Sequence, residues 1–132
     1  MSQKYILDSD ILIYFLKGEK KVVEKVISLP KDELNITIIN YTELLYGIYN
    51  SNKITQNKEK ILPFLDHFKM LQFDKNASIV FAKLKAKMKK QGQIIADMDL
   101  MIASIAISNK AILFTNNLKH FKRIEELKIL EV

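Results

Sequence analysis

The segment KYILDSDILIYFLKG, residues 4–18, decides the fold class and raises the question of function. Tyr5–Leu7 is a short apolar run that predicts a buried strand, and the apolar residues of Ile11–Leu16 predict the helix that follows it. Asp8 and Asp10 stand between the two, in a part of the chain that is otherwise suited to burial. Two negative charges at the end of a hydrophobic strand are unusual, and the polar residues elsewhere in the sequence indicate why they are there.

Strand-like and helix-like patterns alternate along the chain. Runs rich in β-branched or aromatic residues predict further strands at Leu34–Ile39, Phe68–Phe73, Ala111–Phe114 and Leu127–Leu130. Apolar residues at helical spacing predict helices at 21–28, from about residue 40, and at 57–68, 77–90 and 97–108. This alternation is typical of an α/β protein, so we expect a three-layer α/β/α sandwich around a mostly parallel sheet. Without a polar linker or an internal repeat, residues 1–132 are expected to form one domain.

The composition narrows the class of protein. The chain has a net charge of +6, which favours a polyanionic partner, and it lacks cysteine, which excludes thiolate chemistry and fits a cytoplasmic location. The longest apolar run, residues 100–108, is too short to cross a membrane, and no signal-peptide pattern opens the chain. The lysines of the predicted helix at 77–90 have two interpretations: they hold an RNA backbone, or they form a solvated face.

Polar residues follow several predicted strands or begin helices at the same edge of the sheet. They are Asp8, Asp10, Glu43, Asp97, Asp99, Asn116 and Asn117. Each has a local explanation when taken alone, such as a helix cap at Asp8 or Asp97, or a capping box joining Asn40 and Glu43. Local capping does not explain why so many meet at the carboxyl ends of parallel strands, which is where such folds bind ligands.

Several carboxylates in one cleft require a compensating charge. Two unit charges ~4 Å apart repel by roughly 4 kcal/mol at an effective dielectric constant near 20, so either a proton or a cation must neutralise the group. Carboxylate and amide oxygens without cysteine suit Mg²⁺ or Mn²⁺, and the chemistry most often performed at such a site is on phosphate. The two histidines, His67 and His120, are expected to lie outside the cluster.

Four segments then resemble the signature segments of one family. YILDSDILIYFLKG, ITIINYTELLYGI, IADMDLMIASIAI and ILFTNNLKHF occur in the order and at the spacing of PIN-domain ribonucleases, and are most similar to VapC toxins. The resemblance implies the sandwich fold already expected and a Mg²⁺-dependent endoribonuclease that cleaves tRNA or a ribosomal RNA loop. It also implies a homodimer and a VapB-like antitoxin, through which the complex binds operator DNA.

The resemblance also assigns the site residue by residue. The catalytic positions fall on Asp8, Glu43, Asp99 and Asn117, with Asp8 and Asp99 as the expected metal ligands. A neutral Asn117 leaves three carboxylates, which favours one tightly held metal over two. Asp97 is expected to contact the metal ligands without binding the metal itself. Asp10 is expected to orient Asp8.

Two other functions stay open at this point. LDSD after an apolar strand is also the pattern of haloacid-dehalogenase-type phosphatases, in which the first aspartate is the nucleophile, although Glu43 would have no role there. A PIN module that has lost activity and only binds a partner is the other alternative.

Overall fold

The computed structural model describes residues 3–132, which form a five-stranded sheet flanked by helices. The strands are β1 (Tyr5–Leu7), β2 (Leu34–Thr37), β3 (Lys69–Leu71), β4 (Ile112–Phe114) and β5 (Lys128–Leu130). The helices are α1 (Ser9–Leu16), α2 (Lys20–Ser28), α3 (Ile38–Tyr49), α4 (Ile54–Leu65), α5 (Lys75–Lys90), α6 (Asp97–Ser108) and α7 (Leu118–Phe121). A short 3-10 helix, Lys31–Glu33, precedes β2.

The sheet is parallel throughout, in the order β3-β2-β1-β4-β5. The chain moves outward from β1 through β2 to β3, and then returns to the other side of β1 for β4 and β5. The order therefore reverses between β1 and β4, and ligands of open α/β sheets bind outside the carboxyl ends of the strands at such a reversal.

Alternate residues of the central strands face opposite layers. Ile6 and Leu113 pack into a core with α5 and α6, whereas Leu7 and Phe114 pack into a second core with α1, α2 and α4. All four side chains are almost fully buried, as expected for strands covered on both faces. The predicted three-layer α/β/α sandwich is confirmed.

Several predicted element boundaries are wrong by two or three residues. The strand predicted at Leu34–Ile39 ends at Thr37, because Thr37 caps α3 and the helix begins at Ile38 rather than near Asn40. The helix predicted at 57–68 runs from Ile54 to Leu65 and contains Pro63 in its last turn. The helix predicted at 97–108 has the predicted bounds.

Within residues 3–132, no helix is long and apolar enough to cross a membrane.

Candidate active site

Asp8 is a buried carboxylate at the reversal point of the sheet. It follows β1 directly, is 5% exposed, and caps α1 through Oδ1, which accepts a hydrogen bond from the backbone N–H of Ser9 at 2.9 Å. Oδ1 also accepts from Asn40 Nδ2 at 3.2 Å, and Oδ2 accepts from Thr115 Oγ1 at 2.7 Å. The starts of α1 and α3 and the end of β4 therefore converge on this one side chain.

The residues predicted from the sequence lie together around Asp8. A cleft of about 390 Å³ is lined by Asp8, Ser9, Asp10, Tyr14, Glu43, Asp99, Asn116 and Asn117. The four predicted catalytic positions are all in this list. Ser9 and Tyr14 were not predicted, and neither was Asn40, which lies behind the cleft. The sequence points to these three residues only weakly. Ser9 follows Asp8 at the end of a strand, and Tyr14 and Asn40 stand about one helical turn from Asp10 and Glu43.

Glu43 is not part of a capping box. The capping box of α3 joins Thr37 and Asn40, one turn earlier, so the local explanation considered for Glu43 is wrong. Glu43 instead accepts a hydrogen bond from Ser9 Oγ at 2.7 Å, across the gap between α3 and α1. This contact leaves its carboxylate available to the cleft rather than to its own helix.

Asp10 holds the loop that follows β4. Its Oδ1 accepts from the backbone N–H of Ile11 at 2.7 Å, and its Oδ2 accepts from that of Asn116 at 3.0 Å. Asp10 was expected to orient Asp8. Its direct hydrogen bonds order the Asn116 loop, and its influence on Asp8 is through its charge.

Asp97 lies away from the cleft. Its Oδ1 pairs with Lys85 Nζ at 2.9 Å, its side chain is 60% exposed, and α6 is preceded by Ala96 without a side-chain cap. Both earlier interpretations, a helix cap and a supporting residue of the site, are therefore wrong. Residues two apart on a helix point in different directions, which is why Asp99 faces the cleft and Asp97 does not.

His120 lies beside the acids, contrary to the prediction. Its Nδ1 is 3.0 Å from Asp99 Oδ2 and 3.3 Å from Asn117 Nδ2. Because an ionised carboxylate only accepts hydrogen bonds, Nδ1–H is the donor to Asp99, and it fixes that carboxylate at the edge of the cleft. His120 lies on the short helix α7, three residues after Asn117, so the two side chains are on the same side of that helix. His67 does stay outside the cleft and contacts the carbonyl of Pro63.

Burial raises the pKa of the acids in the cleft. The pKa of Asp8 is raised to about 7, first by burial and second by the nearby charge of Asp10, although the Thr115 hydrogen bond opposes the shift. Burial also raises the pKa of Asp10 and of Glu43, and the charge of Asp99 adds to the effect on Glu43. The ionised cleft therefore favours a cation, and the loss of hydration contributes more to this preference than repulsion does.

The carboxylate and amide oxygens that line the cleft are the ligand types that hard divalent cations prefer. Among residues 3–132, no three acidic or histidine side chains are grouped closely enough to form a ready-made metal site. Mg²⁺ does not require such a cage, because it keeps several waters and is usually held by one or two carboxylates. Asp8 and Asp99 remain the predicted ligands. The fold and this cleft define an α/β protein with a carboxylate-lined site at the reversal of a parallel sheet.

Comparisons with known proteins agree with this class. The family model described as PIN domain matches residues 5–127. The chain is 36% identical over 129 residues to ribonuclease VapC2 of Rickettsia felis, covering 96% of each chain. It is 29% identical over 125 residues to the tRNA(fMet)-specific endonuclease VapC of Shigella flexneri, covering 95% of each. It is also similar to a chain in the crystal structure of VapBC2 from Rickettsia felis bound to a DNA fragment from their promoter. There the TM-score is 0.91 and the identity 32%, covering 98% of this chain and 99% of that one.

The chain belongs to the PIN-domain family, and within it to the VapC group. The resemblance read from the four sequence segments is thereby confirmed.

Proposed function

We propose that this protein is a Mg²⁺- or Mn²⁺-dependent endoribonuclease and the toxin of a VapBC-type toxin–antitoxin pair. The observation that carries the proposal is the cleft at the reversal of a parallel sheet, which Asp8, Glu43 and Asp99 all line. The similarity to ribonucleases named VapC supports RNA as the substrate. The Shigella flexneri relative is named for tRNA(fMet), which favours a tRNA over a ribosomal RNA loop as the target.

The residues of the cleft have distinct roles in this proposal. Asp8 and Asp99 would hold the metal, whose chemistry is to polarise a phosphoryl oxygen and to lower the pKa of bound water. Glu43, held by Ser9, takes a proton from the attacking water. The water oxygen then bonds to phosphorus, and the bond from phosphorus to the 3′ oxygen breaks. The leaving oxygen is protonated from solvent, so the products are a 5′-phosphate and a 3′-hydroxyl. Asn117 also lines the cleft and can donate its amide to a phosphate oxygen.

The geometry of Asp8 disfavours the phosphatase alternative. A phosphatase of the haloacid-dehalogenase type needs the first aspartate as its nucleophile. Here Asp8 is buried, and both of its oxygens accept hydrogen bonds, which lowers the reactivity of the carboxylate. The inactive-module alternative is disfavoured because all three predicted catalytic acids line the cleft.

A single turnover in ¹⁸O-labelled water tests the reaction. We expect the label on the 5′-phosphate of cleaved RNA, because water is the nucleophile and Asp8 forms no covalent bond. The matched control is the Glu43→Gln variant, which should release little labelled product because the base is lost. In a phosphatase, water attacks the phosphorus of an acyl phosphate on Asp8, so the label would appear in inorganic phosphate. An acyl phosphate on Asp8 that borohydride reduction traps, together with turnover of small phosphomonoesters and no cleavage of RNA, would establish the phosphatase instead.

A VapB-like antitoxin is the proposed partner, and operator DNA would be bound only through it. Two features support a docking path. An apolar groove of about 420 Å³ lies between α1, α2 and α4, with Phe15, Ile27 and Phe64 among its lining residues. Helix α1 joins this groove to the cleft, since it also carries Asp10 and is only about 12 Å long. A partner segment that fills the groove can therefore continue to the acids, where an arginine or lysine would find charge complementarity.

Co-expression with the small gene immediately upstream tests the partner. We expect the two proteins to copurify and growth arrest to be relieved. Ile27→Glu should abolish copurification, because Ile27 is 70% exposed in the groove and a charge there opposes apolar packing. Ile79→Glu is the matched control, since Ile79 is exposed on α5, away from the groove. Equal capture by the two variants would contradict the docking path, and failure of the unchanged pair to copurify would contradict the partner.

Two further expectations from the sequence belong to the same proposal. A homodimer is expected. The lysines of α5 are a weaker candidate for holding RNA, because Lys85 and Lys87 are paired with Asp97 and Glu126.

A further inference from the structure

Asn40 is an uncharged side chain buried directly behind the acids. It is fully buried at the start of α3, and its amide group makes four polar contacts. Oδ1 accepts from the backbone N–H of Thr37 at 3.0 Å and from Thr37 Oγ1 at 2.7 Å. Nδ2 donates to Asp8 Oδ1 at 3.2 Å and to Ser9 Oγ at 3.1 Å. The capping box involves only Oδ1 of the Asn40 side chain. The two hydrogen bonds from Nδ2 to Asp8 and Ser9 therefore have a different role.

The direction of these hydrogen bonds follows from the backbone. The N–H of Thr37 can only donate, so the Asn40 atom that faces it must be the oxygen. The amide nitrogen therefore faces Ser9, and an amide nitrogen also only donates. Ser9 Oγ must then accept from Asn40, which leaves its single hydrogen for Glu43 Oε1, 2.7 Å away.

The same logic operates on the other side of Asp8. The backbone N–H of Asn117 donates to Thr115 Oγ1 at 2.9 Å, so the hydroxyl hydrogen of Thr115 is left for Asp8 Oδ2, 2.7 Å away. At Asp8 the group that sets the direction is a backbone N–H, which only a substitution by proline removes. At Glu43 that group is the side chain of Asn40, so the direction depends on the residue type.

We propose that Asn40 is a positioning residue for the reaction. It turns the Ser9 hydroxyl toward Glu43, so that Oε1 of Glu43 is fixed as a hydrogen-bond acceptor. Oε2 has no hydrogen-bond partner among residues 3–132 and is left to receive the proton of the attacking water. The inference rests on the proposed nuclease function and adds to it the residue that orients the base. An aspartate at this position would keep the cap but would place an acceptor against Asp8 and Ser9, and the hydroxyl would turn away from Glu43.

Kinetics of two variants and a control test the positioning role. Ser9→Ala and Asn40→Asp should each lower kcat for RNA cleavage about 10- to 100-fold, the range for one hydrogen bond to a charged group. KM should change by less than about 2-fold, because substrate contacts are retained. Ser9→Thr should restore most of the rate. Thr42→Ala, which removes an exposed hydroxyl bonded to the Ile38 carbonyl on the same helix, should have no effect.

A double-mutant cycle separates action through Glu43 from a general structural effect. If Ser9 acts only through Glu43, Ser9→Ala should change kcat by less than about 2-fold when Glu43→Gln is already present. Independent, multiplying effects of the two substitutions would overturn the proposal.

Side-chain amide NMR of the metal-free protein provides a readout that does not depend on activity. The Asn40 NH₂ pair should be protected from solvent exchange and should shift in Ser9→Ala but not in Thr42→Ala. If Asn40→Asp does not fold, the Ser9 variants and this spectrum still decide the question. An unshifted Asn40 signal, or an active Ser9→Ala enzyme at the wild-type rate, would overturn the positioning role alone. A wild-type protein that cleaves no RNA would overturn the proposed function itself.

Discussion

Asp8→Asn should reduce RNA cleavage by roughly 10³-fold or more and abolish Mn²⁺ binding while the protein stays folded. The carboxylate joins the end of β1 to the start of α1 and to Thr115 after β4, and an amide cannot replace its charge toward a cation. Asparagine is also a good helix cap, so α1 should be preserved. Alanine is a poorer choice, because it removes the cap and leaves the donors of Thr115 and Asn40 without an acceptor.

Calorimetric titration with Mn²⁺ and a cleavage assay check this result together. Asp99→Asn should behave like Asp8→Asn, since both are predicted ligands. Asp97→Asn is the control, because Asp97 begins the same helix as Asp99 but pairs with Lys85 outside the cleft. Wild-type cleavage by Asp8→Asn or Asp99→Asn would remove that residue from the site.

The metal-free protein should lose stability as the pH rises from 5 to 7. The pKa of Asp8 is about 7 in the folded protein and near 3.8 when the side chain is free in water. The folded protein therefore binds about one more proton than the unfolded chain across this window, and the protonated form is the more stable one. One extra bound proton is worth about 1.4 kcal/mol for each pH unit, and this proton is half lost by pH 7, so the free energy of unfolding should fall by about 2 kcal/mol. The raised pKa of Asp10 and of Glu43 acts in the same direction.

Urea unfolding at several pH values, with chelator present, measures this slope. Asp8→Asn should flatten it by about one proton, and comparison with the wild type removes the contribution of every group that the two proteins share. Mn²⁺ should stabilise the wild type most at pH 8, where the acids are ionised. Equal slopes in the two proteins would show that Asp8 titrates normally. The sequence argument placed this instability in repulsion among carboxylates, whereas the structure places it mainly in the burial of Asp8.

The spacing of apolar residues predicted the fold because the helices and the strands have different patterns. Helix α6 is apolar nearly all round, which predicted both its burial and its bounds, and the alternation with short β-branched strands predicted a parallel sheet. The edge at which Asp8 and Glu43 meet then followed from the rule that parallel strands present their carboxyl ends together.

The parts that sequence reasoning missed depend on contacts between distant segments. His120 reaches Asp99 only because α7 follows β4 closely, and a four-residue helix has too weak a pattern to predict. Asn40 was predicted at the start of a helix because the β-branched residues of the preceding strand continue through Ile39. The cap at Thr37 instead places Asn40 inside α3. Asp97 could have been excluded from helical geometry alone, since it stands two residues from Asp99.

The two outermost strands have a consequence for how other chains can associate with this one. β3 and β5 are each three residues long, and each begins with an exposed lysine, Lys69 or Lys128. Short, charged edge strands offer few free backbone groups and discourage the addition of a foreign strand. Growth of the sheet into aggregates is therefore disfavoured at both borders. A binding partner must approach through the helical layers, where side chains rather than backbone hydrogen bonds determine which protein is accepted.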